Sequence, residues 1–217
     1  MRFKDRTDAG RRLADRLRAL REAAVVYALP RGGVVLGVIV ARQLKAPLDL
    51  MIARKIGHPL APEYAIAAVT EDGALLGNPA ELAEVDERWL RQRIHAEREE
   101  AHRRRVLYMA GRLPHPVEGK TAVIVDDGVA TGLTLRAAIR DVLRRHPRRI
   151  VVAVPVIPPD VADVVREEID ELITLDSSAY LGAVGAYYDD FAPVEDDEVA
   201  ALMRTVEEPK VRTPELV

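Results

Sequence analysis

Apolar positions along the chain change period several times. In residues 8–20, Leu13, Leu17 and Leu20 fall at i, i+4 and i+7, which predicts an amphipathic helix with Thr7 or Asp8 as its N-cap. Residues 25–29 are an unbroken apolar run of strand composition, stopped by Pro30. Arg31-Gly32-Gly33 is a turn signal, and residues 34–44 have helical length, although their valine content also suits a strand. Residues 48–53 and 65–70 read as the second and third strands. The segment between them, 55–63, holds two prolines and a glycine and reads as a loop.

From Asn78-Pro79 to about residue 112 the chain is polar and helix-favouring, with Asn78 as N-cap and Pro79 at the first helical position. Residues 121–125 form a fourth strand, 131–145 a helix ended by His146-Pro147, and 150–157 a fifth strand. A helix over 160–169, a sixth strand over 172–175, an irregular aromatic stretch over 176–194, a short helix over 196–204 and a loose tail of a dozen residues complete the pattern. Helices alternating with nearly continuous apolar strands predict an α/β fold, a parallel β-sheet flanked by helices on both faces. Ligands of such sheets sit at the carboxyl ends of the strands.

Composition narrows the class. The 217 residues are 48% hydrophobic and 31% charged, with 13 Gly and 14 Pro, a globular balance. No cysteine is present, which removes disulfides, zinc–thiolate sites, iron–sulfur clusters and cysteine nucleophiles together. Thirty-two basic against 35 acidic residues give a net charge of −3, so no bulk attraction to nucleic acid is expected. The longest apolar run, 34–41, falls far short of the roughly 20 residues that span a bilayer. The charged opening Met1-Arg2-Phe3-Lys4-Asp5-Arg6 has no secretory pattern, so a cytoplasmic protein without membrane contact is expected.

The sharpest local signal runs from Val123 through Asp126-Asp127-Gly128-Val129-Ala130-Thr131-Gly132-Leu133-Thr134. A strand emerges into two carboxylates, then a Gly/Thr turn, then a helix. The turn and helix start offer unpaired N–H groups and a positive dipole end, which favour a phosphate dianion. Gly128 and Gly132 permit close approach, and Thr131 and Thr134 add hydroxyl donors. The carboxylates suit vicinal hydroxyls or a hydrated Mg²⁺ instead. Phosphate plus diol describes a ribose 5-phosphate. No Lys follows the glycine as a Walker A loop requires, and the spacing is not G-x-G-x-x-G.

This stretch resembles the signature by which type I phosphoribosyltransferases bind phosphoribosyl pyrophosphate (PRPP). Other pieces fall in the family's order: Leu29-Pro30-Arg31-Gly32-Gly33 is similar to its pyrophosphate loop, and residues 54–63 take the place of its flexible catalytic loop. The resemblance covers about residues 20–73 and 115–195. It implies a single phosphoribosyltransferase-like domain over 1–217, with a helical insertion at about 78–113 and a hood over the base at about 176–205.

By resemblance, Asp126 and Asp127 hold the ribose hydroxyls, and Gly128, Val129, Ala130, Thr131, Gly132, Leu133 and Thr134 cradle the 5-phosphate. Arg31, Gly32, Gly33 and Lys55 receive the pyrophosphate, as forked Arg donors and bare glycine amides would. Lys55 and Glu63 join the two acids as candidate catalytic residues. Mg²⁺ is the implied cofactor, held through substrate and waters with no direct protein ligand. The implied partners are PRPP and a nitrogenous base, with a homodimer in keeping with the family. Position 130 departs from the 6-oxopurine enzymes, which carry Asp there; Ala130 disfavours hypoxanthine and guanine without establishing adenine.

Four of the nine aromatic residues, Tyr180, Tyr187, Tyr188 and Phe191, fall within twelve positions. Tyr187, Tyr188, Asp189 and Phe191 are the candidate base contacts, since rings stack on heterocycles and a carboxylate accepts from base N–H groups. Some of these rings are expected to pack the core instead. The arginines of 88–112 suit a solvated or dimer-contact helix better than a nucleic-acid surface, given the interleaved Glu. The function expected is transfer of ribose 5-phosphate from PRPP to a base with release of pyrophosphate. The alternative is a non-catalytic, PRPP-sensing regulator.

Overall fold

The computed structural model describes residues 2–20, 23–177 and 182–206; Tyr180 and the tail beyond Val206 lie outside them. Helix α1 (Arg6–Arg16) begins earlier than the periodicity suggests, because Asp5 rather than Thr7 or Asp8 caps it, accepting from the Asp8 N–H. Strand β1 (Ala24–Ala28), helix α2 (Gly33–Leu44) and strand β2 (Leu48–Leu50) follow, settling the valine-rich stretch as helix. β1 and β2 pair in parallel.

Next the chain departs from the expected pattern. Residues 53–70 form a hairpin of β3 (Ala53–His58) and β4 (Ala61–Thr70), and β5 (Leu75–Gly77) completes a separate three-stranded antiparallel sheet. The expected loop at 55–63 is thus strand on both sides of a tight Pro59-Leu60 turn, and the third strand is not in the parallel sheet. The two prolines that suggested a loop sit at the turn and on the part of β4 beyond its pairing with β5, where a missing N–H is tolerated.

The polar region is two helices, α3 (Pro79–Glu84) and α4 (Glu87–Met109), each with its own cap: Asn78 for α3, with Pro79 at N1, and Asp86 for α4. Strand β6 (Thr121–Val125), helix α5 (Leu133–Leu143), strand β7 (Arg149–Val156), helix α6 (Pro159–Arg166), strand β8 (Glu171–Asp176) and helix α7 (Asp196–Arg204) end the described chain.

The main sheet has five parallel strands in the order β2-β1-β6-β7-β8. Alternation along each strand sends side chains to opposite faces. Val26, Ala28, Val123 and Val125 join the core shared with α1, α2 and α7, while Val25, Tyr27, Ala122 and Ile124 join the core under α5 and α6. The small sheet is wedged in the same way. Ile56, Ile66 and Val69 pack against Leu82, Trp89, Leu90 and Ile94 of α3 and α4, and Ala53 and Ala68 pack against Leu133 and Ala137 of α5. That second contact sets β3 beside the start of α5.

The arginines of α4 are largely engaged within the molecule. Arg105 pairs with fully buried Asp49 (3.1 Å) and with Glu71, Arg103 reaches Asp196 (3.3 Å), and the buried Glu97 takes Arg54 (2.9 Å) and Arg93 (2.5 Å). Arg105 and the buried Glu97 tie the helix to the core, while Arg88, Arg91, Arg93, Arg98 and Arg103 remain on its exposed face. No helix among the described residues is long and apolar enough to cross a membrane.

Candidate active site

Parallel pairing decides which loops meet. Ala28 is in register with Val125, and the Leu29 N–H donates to the Val125 carbonyl (3.0 Å), so the loops leaving β1 and β6 run side by side at the carboxyl edge of the sheet. Leu29-Pro30-Arg31-Gly32-Gly33 therefore lies against Asp126-Asp127-Gly128. The Pro30–Arg31 peptide bond is cis. A Cβ added to Gly32 would stand 1.9 Å from Asp127 Oδ2, and one added to Gly33 would stand 3.0 Å from Asp126 Cα. Any side chain at position 32 would displace the Asp127 carboxylate or the Arg6 guanidinium.

Beyond the acids, the chain turns through Gly132 in the left-handed region (φ 76°), and α5 starts at Leu133 without a side-chain cap. The first helical N–H with an intrahelical acceptor is that of Arg136, bonded to the Gly132 carbonyl (2.8 Å). The N–H groups of the first turn before it have no partner inside the helix, a geometry that favours anions. A cavity of about 180 Å³ opens here, lined by Asp126, the residues 128–132, Thr134 and, from across the gap, Lys55. The wedge of the small sheet against α5 explains Lys55: β3 carries it, exposed, to the N-terminal end of that helix. A larger cavity, about 490 Å³, lies elsewhere, but its cations Arg105 and Arg145 are already paired with Glu71, Asp49 and Asp72.

The two acids differ. Asp127 accepts from Arg6 Nε through Oδ2 (2.7 Å), while the Asp127 N–H donates to Asp126 Oδ1 (2.8 Å). Burial, then the neighbouring Asp127 charge, pushes the Asp126 carboxyl well above the usual range, and Lys55 opposes the shift. A carboxyl whose folded pKa is raised binds protons more tightly in the folded state, so its presence costs stability as pH rises above the unfolded value near 3.8. Asp126→Asn is accordingly expected to raise the melting temperature of the ligand-free protein by a few degrees at pH 7. The gain should shrink toward zero as pH falls to 4, read by thermal melts across that range; a gain that grows on acidification would contradict this account of the carboxyl.

The family model for the phosphoribosyl transferase domain matches residues 3–190. The chain belongs to the phosphoribosyltransferase family. Its sheet and flanking helices are those of the type I phosphoribosyltransferase fold. A Mycobacterium tuberculosis protein, provisionally named a phosphoribosyl transferase, is 40% identical over 209 residues. That match covers 93% of this chain and 46% of the relative, so the chain spans about half the length of the curated relatives it matches. The crystal structure of the TT1426 protein from Thermus thermophilus is 41% identical with a TM-score of 0.79, covering 94% of this chain and 98% of that one. The AQ2163 protein of Aquifex aeolicus shares the fold at 15% identity and a TM-score of 0.51, over 80% of this chain and 74% of its own.

Against that family background, the site residues named from sequence divide into groups. The residues 128–132, Thr134 and Asp126 line one cavity with Lys55; Leu133 packs instead on Ala53 and Ala68, Asp127 pairs with Arg6 outside the lining, and Gly32 and Gly33 abut the acids. Arg31 lies on the neighbouring loop but rests on Glu195 (3.1 Å) and Asp196 (3.6 Å) of the C-terminal segment. Glu63 stands exposed on β4 and does not line the cavity.

Of the aromatic cluster, Tyr188 is buried, flanked by Phe3 and Phe191 at centroid distances of 5.3 and 4.8 Å, and its hydroxyl donates to the Asp127 carbonyl (2.6 Å). The Arg6 guanidinium lies 3.7 Å from the centre of the Phe191 ring. Both rings are packed by protein, while Tyr187 is half-buried and Asp189 exposed, paired with Arg2 (2.5 Å). Sequence reasoning missed Phe3 and Arg6. A Phe and an Arg at the start of an amphipathic helix carry no local mark of a site, and only the fold brings them to Asp127.

Proposed function

We propose that the protein transfers ribose 5-phosphate from PRPP to a nitrogenous base and releases pyrophosphate. The carrying observation is the single cavity in which the phosphate-loop residues, Asp126 and Lys55 face one another. A phosphorylated, vicinal-diol ligand bearing a second anionic group matches that set: first-turn amides for the 5-phosphate, carboxylates for the hydroxyls, cation and glycine amides for the pyrophosphate.

In the displacement, a base nitrogen forms a bond to C1 of the ribose as the C1–O bond to pyrophosphate breaks, and the proton on that nitrogen passes to solvent. The chain needs no nucleophile of its own; its contribution is to hold both reactants in line and to receive the charge that develops on the leaving oxygens. Lys55 and the Gly32 and Gly33 amides would do so at once. Arg31 would exchange Glu195 and Asp196 for pyrophosphate oxygens. Tyr187 and Asp189 are the base-facing candidates with side chains still accessible, whereas Tyr188 and Phe191 act on the base only by shaping the wall behind it.

Magnesium fits this site in one form. Among the described residues no group of three or more His, Cys, Asp or Glu is placed to hold a metal ion. Asp126 lines the cavity and Asp127 follows it in the chain, which suits an ion held mainly by substrate oxygens and waters. When bound there, magnesium would neutralise part of the pyrophosphate charge.

The sensing alternative rests on the Arg-rich helix and the unassigned base; of that helix, Arg105 is engaged with the buried Asp49 and with Glu71. The test is incubation with PRPP, Mg²⁺ and a panel of purine and pyrimidine bases, following pyrophosphate. Base-dependent release is the expected result; inertness with every base would overturn the transferase reading.

A further inference from the structure

The segment leading into α1 is stitched to the C-terminal segment through its backbone. The Phe3 N–H donates to the Tyr187 carbonyl (2.8 Å), and the Phe3 and Lys4 carbonyls accept from the Asp189 (2.8 Å) and Asp190 (2.9 Å) N–H groups. Phe3 is fully buried against Tyr188. Asp5 then caps α1, so Arg6 leaves from a backbone fixed on both sides.

The Arg6 guanidinium is held in three ways: Nε donates to Asp127 Oδ2 (2.7 Å), Nη1 donates to the Ala192 carbonyl (2.7 Å), and the plane rests on Phe191. The two charged side chains are only 11% and 15% exposed, so this is a largely desolvated, charge-assisted bond and not a surface pair. It also sits directly on Gly32, where an added Cβ would fall 2.7 Å from Arg6 Nε. One arginine thereby joins the acid loop, the pyrophosphate loop and the C-terminal segment.

We propose that Arg6 is a positioning residue of the ribose subsite: it pins one oxygen of the Asp127 carboxylate, leaving Oδ1 as the acceptor presented to a ribose hydroxyl. The inference rests on the PRPP-binding reading above. Arg6 touches no reacting atom; it acts through Asp127, and the consequence is a specific non-additivity. Once Asp127 can no longer accept as a carboxylate, loss of Arg6 should cost little more.

The experiment is a double-mutant cycle on Mg–PRPP affinity with the unmodified chain, Arg6→Gln, Asp127→Asn and the double variant, each checked by circular dichroism. Arg6→Gln and Asp127→Asn are each expected to weaken binding about tenfold, and the double variant to stay within about twofold of Asp127→Asn alone. Arg6→Lys, which keeps the cation but not the fork, should recover part of the loss, and it carries the test if Arg6→Gln does not fold. An Arg6→Gln affinity within about twofold of the unmodified chain, or effects that multiply to about a hundredfold in the double variant, would overturn the proposal. No PRPP binding by the unmodified chain would instead overturn the proposed function, and the ribose subsite with it.

Discussion

Gly32→Ala is expected to weaken Mg–PRPP binding by about a hundredfold or more, close to 2.7 kcal/mol, while leaving the secondary structure intact. The backbone at Gly32 is ordinary (φ −60°, ψ −37°), so alanine adopts it without strain. The new methyl, however, would lie 1.9 Å from Asp127 Oδ2 and 2.6 Å from its Cγ. Either the carboxylate or the pyrophosphate loop must move, and both belong to the proposed donor site. Overpacking of this kind typically costs about 1–3 kcal/mol, and here it falls on the ligand contacts. Gly182→Ala, which meets nothing within 4 Å, provides the comparison and should bind as the unmodified chain does. Equilibrium binding and circular dichroism on both variants check this. A Gly32→Ala affinity equal to that of Gly182→Ala would contradict the packing of the two loops.

Lys55→Ala should lower kcat by about 10²–10³ with a much smaller change in KM for the base, the loss seen when one donor to developing negative charge is removed. β3 is fastened on one face to α4 and on the other to α5, so Lys55 reaches the cavity from a sheet rather than from an unstructured loop. Lys55→Arg should retain part of the rate. Steady-state kinetics with pyrophosphate detection tests both variants, and a kcat within about twofold of the unmodified value would make Lys55 a surface residue.

Legibility in the sequence followed burial. Strand β6 and helix α7 run over the residues their patterns predict, because one is an unbroken apolar run between polar turns and the other an isolated amphipathic turn after Glu195. The acid–glycine loop was readable for the same reason: its chemistry is contiguous, and a parallel strand must deliver it to the carboxyl edge. The β3–β4 hairpin was not readable. Pro59 and Pro62 suggest a break, while half of β4 is solvent-exposed and lacks a core-facing alternation.

Long-range pairs were equally hidden. Arg105 meets Asp49, and Arg54 meets Glu97, across separations of 56 and 43 residues, so no local pattern marks which charges of the largely exposed helix are matched to distant partners. The aromatic cluster near residue 188 was visible as a cluster, yet composition alone could not say that Tyr188 and Phe191 face protein. Arg6 stands 121 residues from its acid, and no spacing rule reaches that far.

The cavity between the residues 128–134 and Lys55 is proposed to bind the activated ribose of PRPP. Equilibrium dialysis of the unmodified chain against radiolabelled PRPP with Mg²⁺, with ribose 5-phosphate and pyrophosphate as competitors, measures it directly. Saturation at one molecule per chain, displaced by either competitor, is expected. Retention no greater than that of an unrelated protein of the same charge would contradict it.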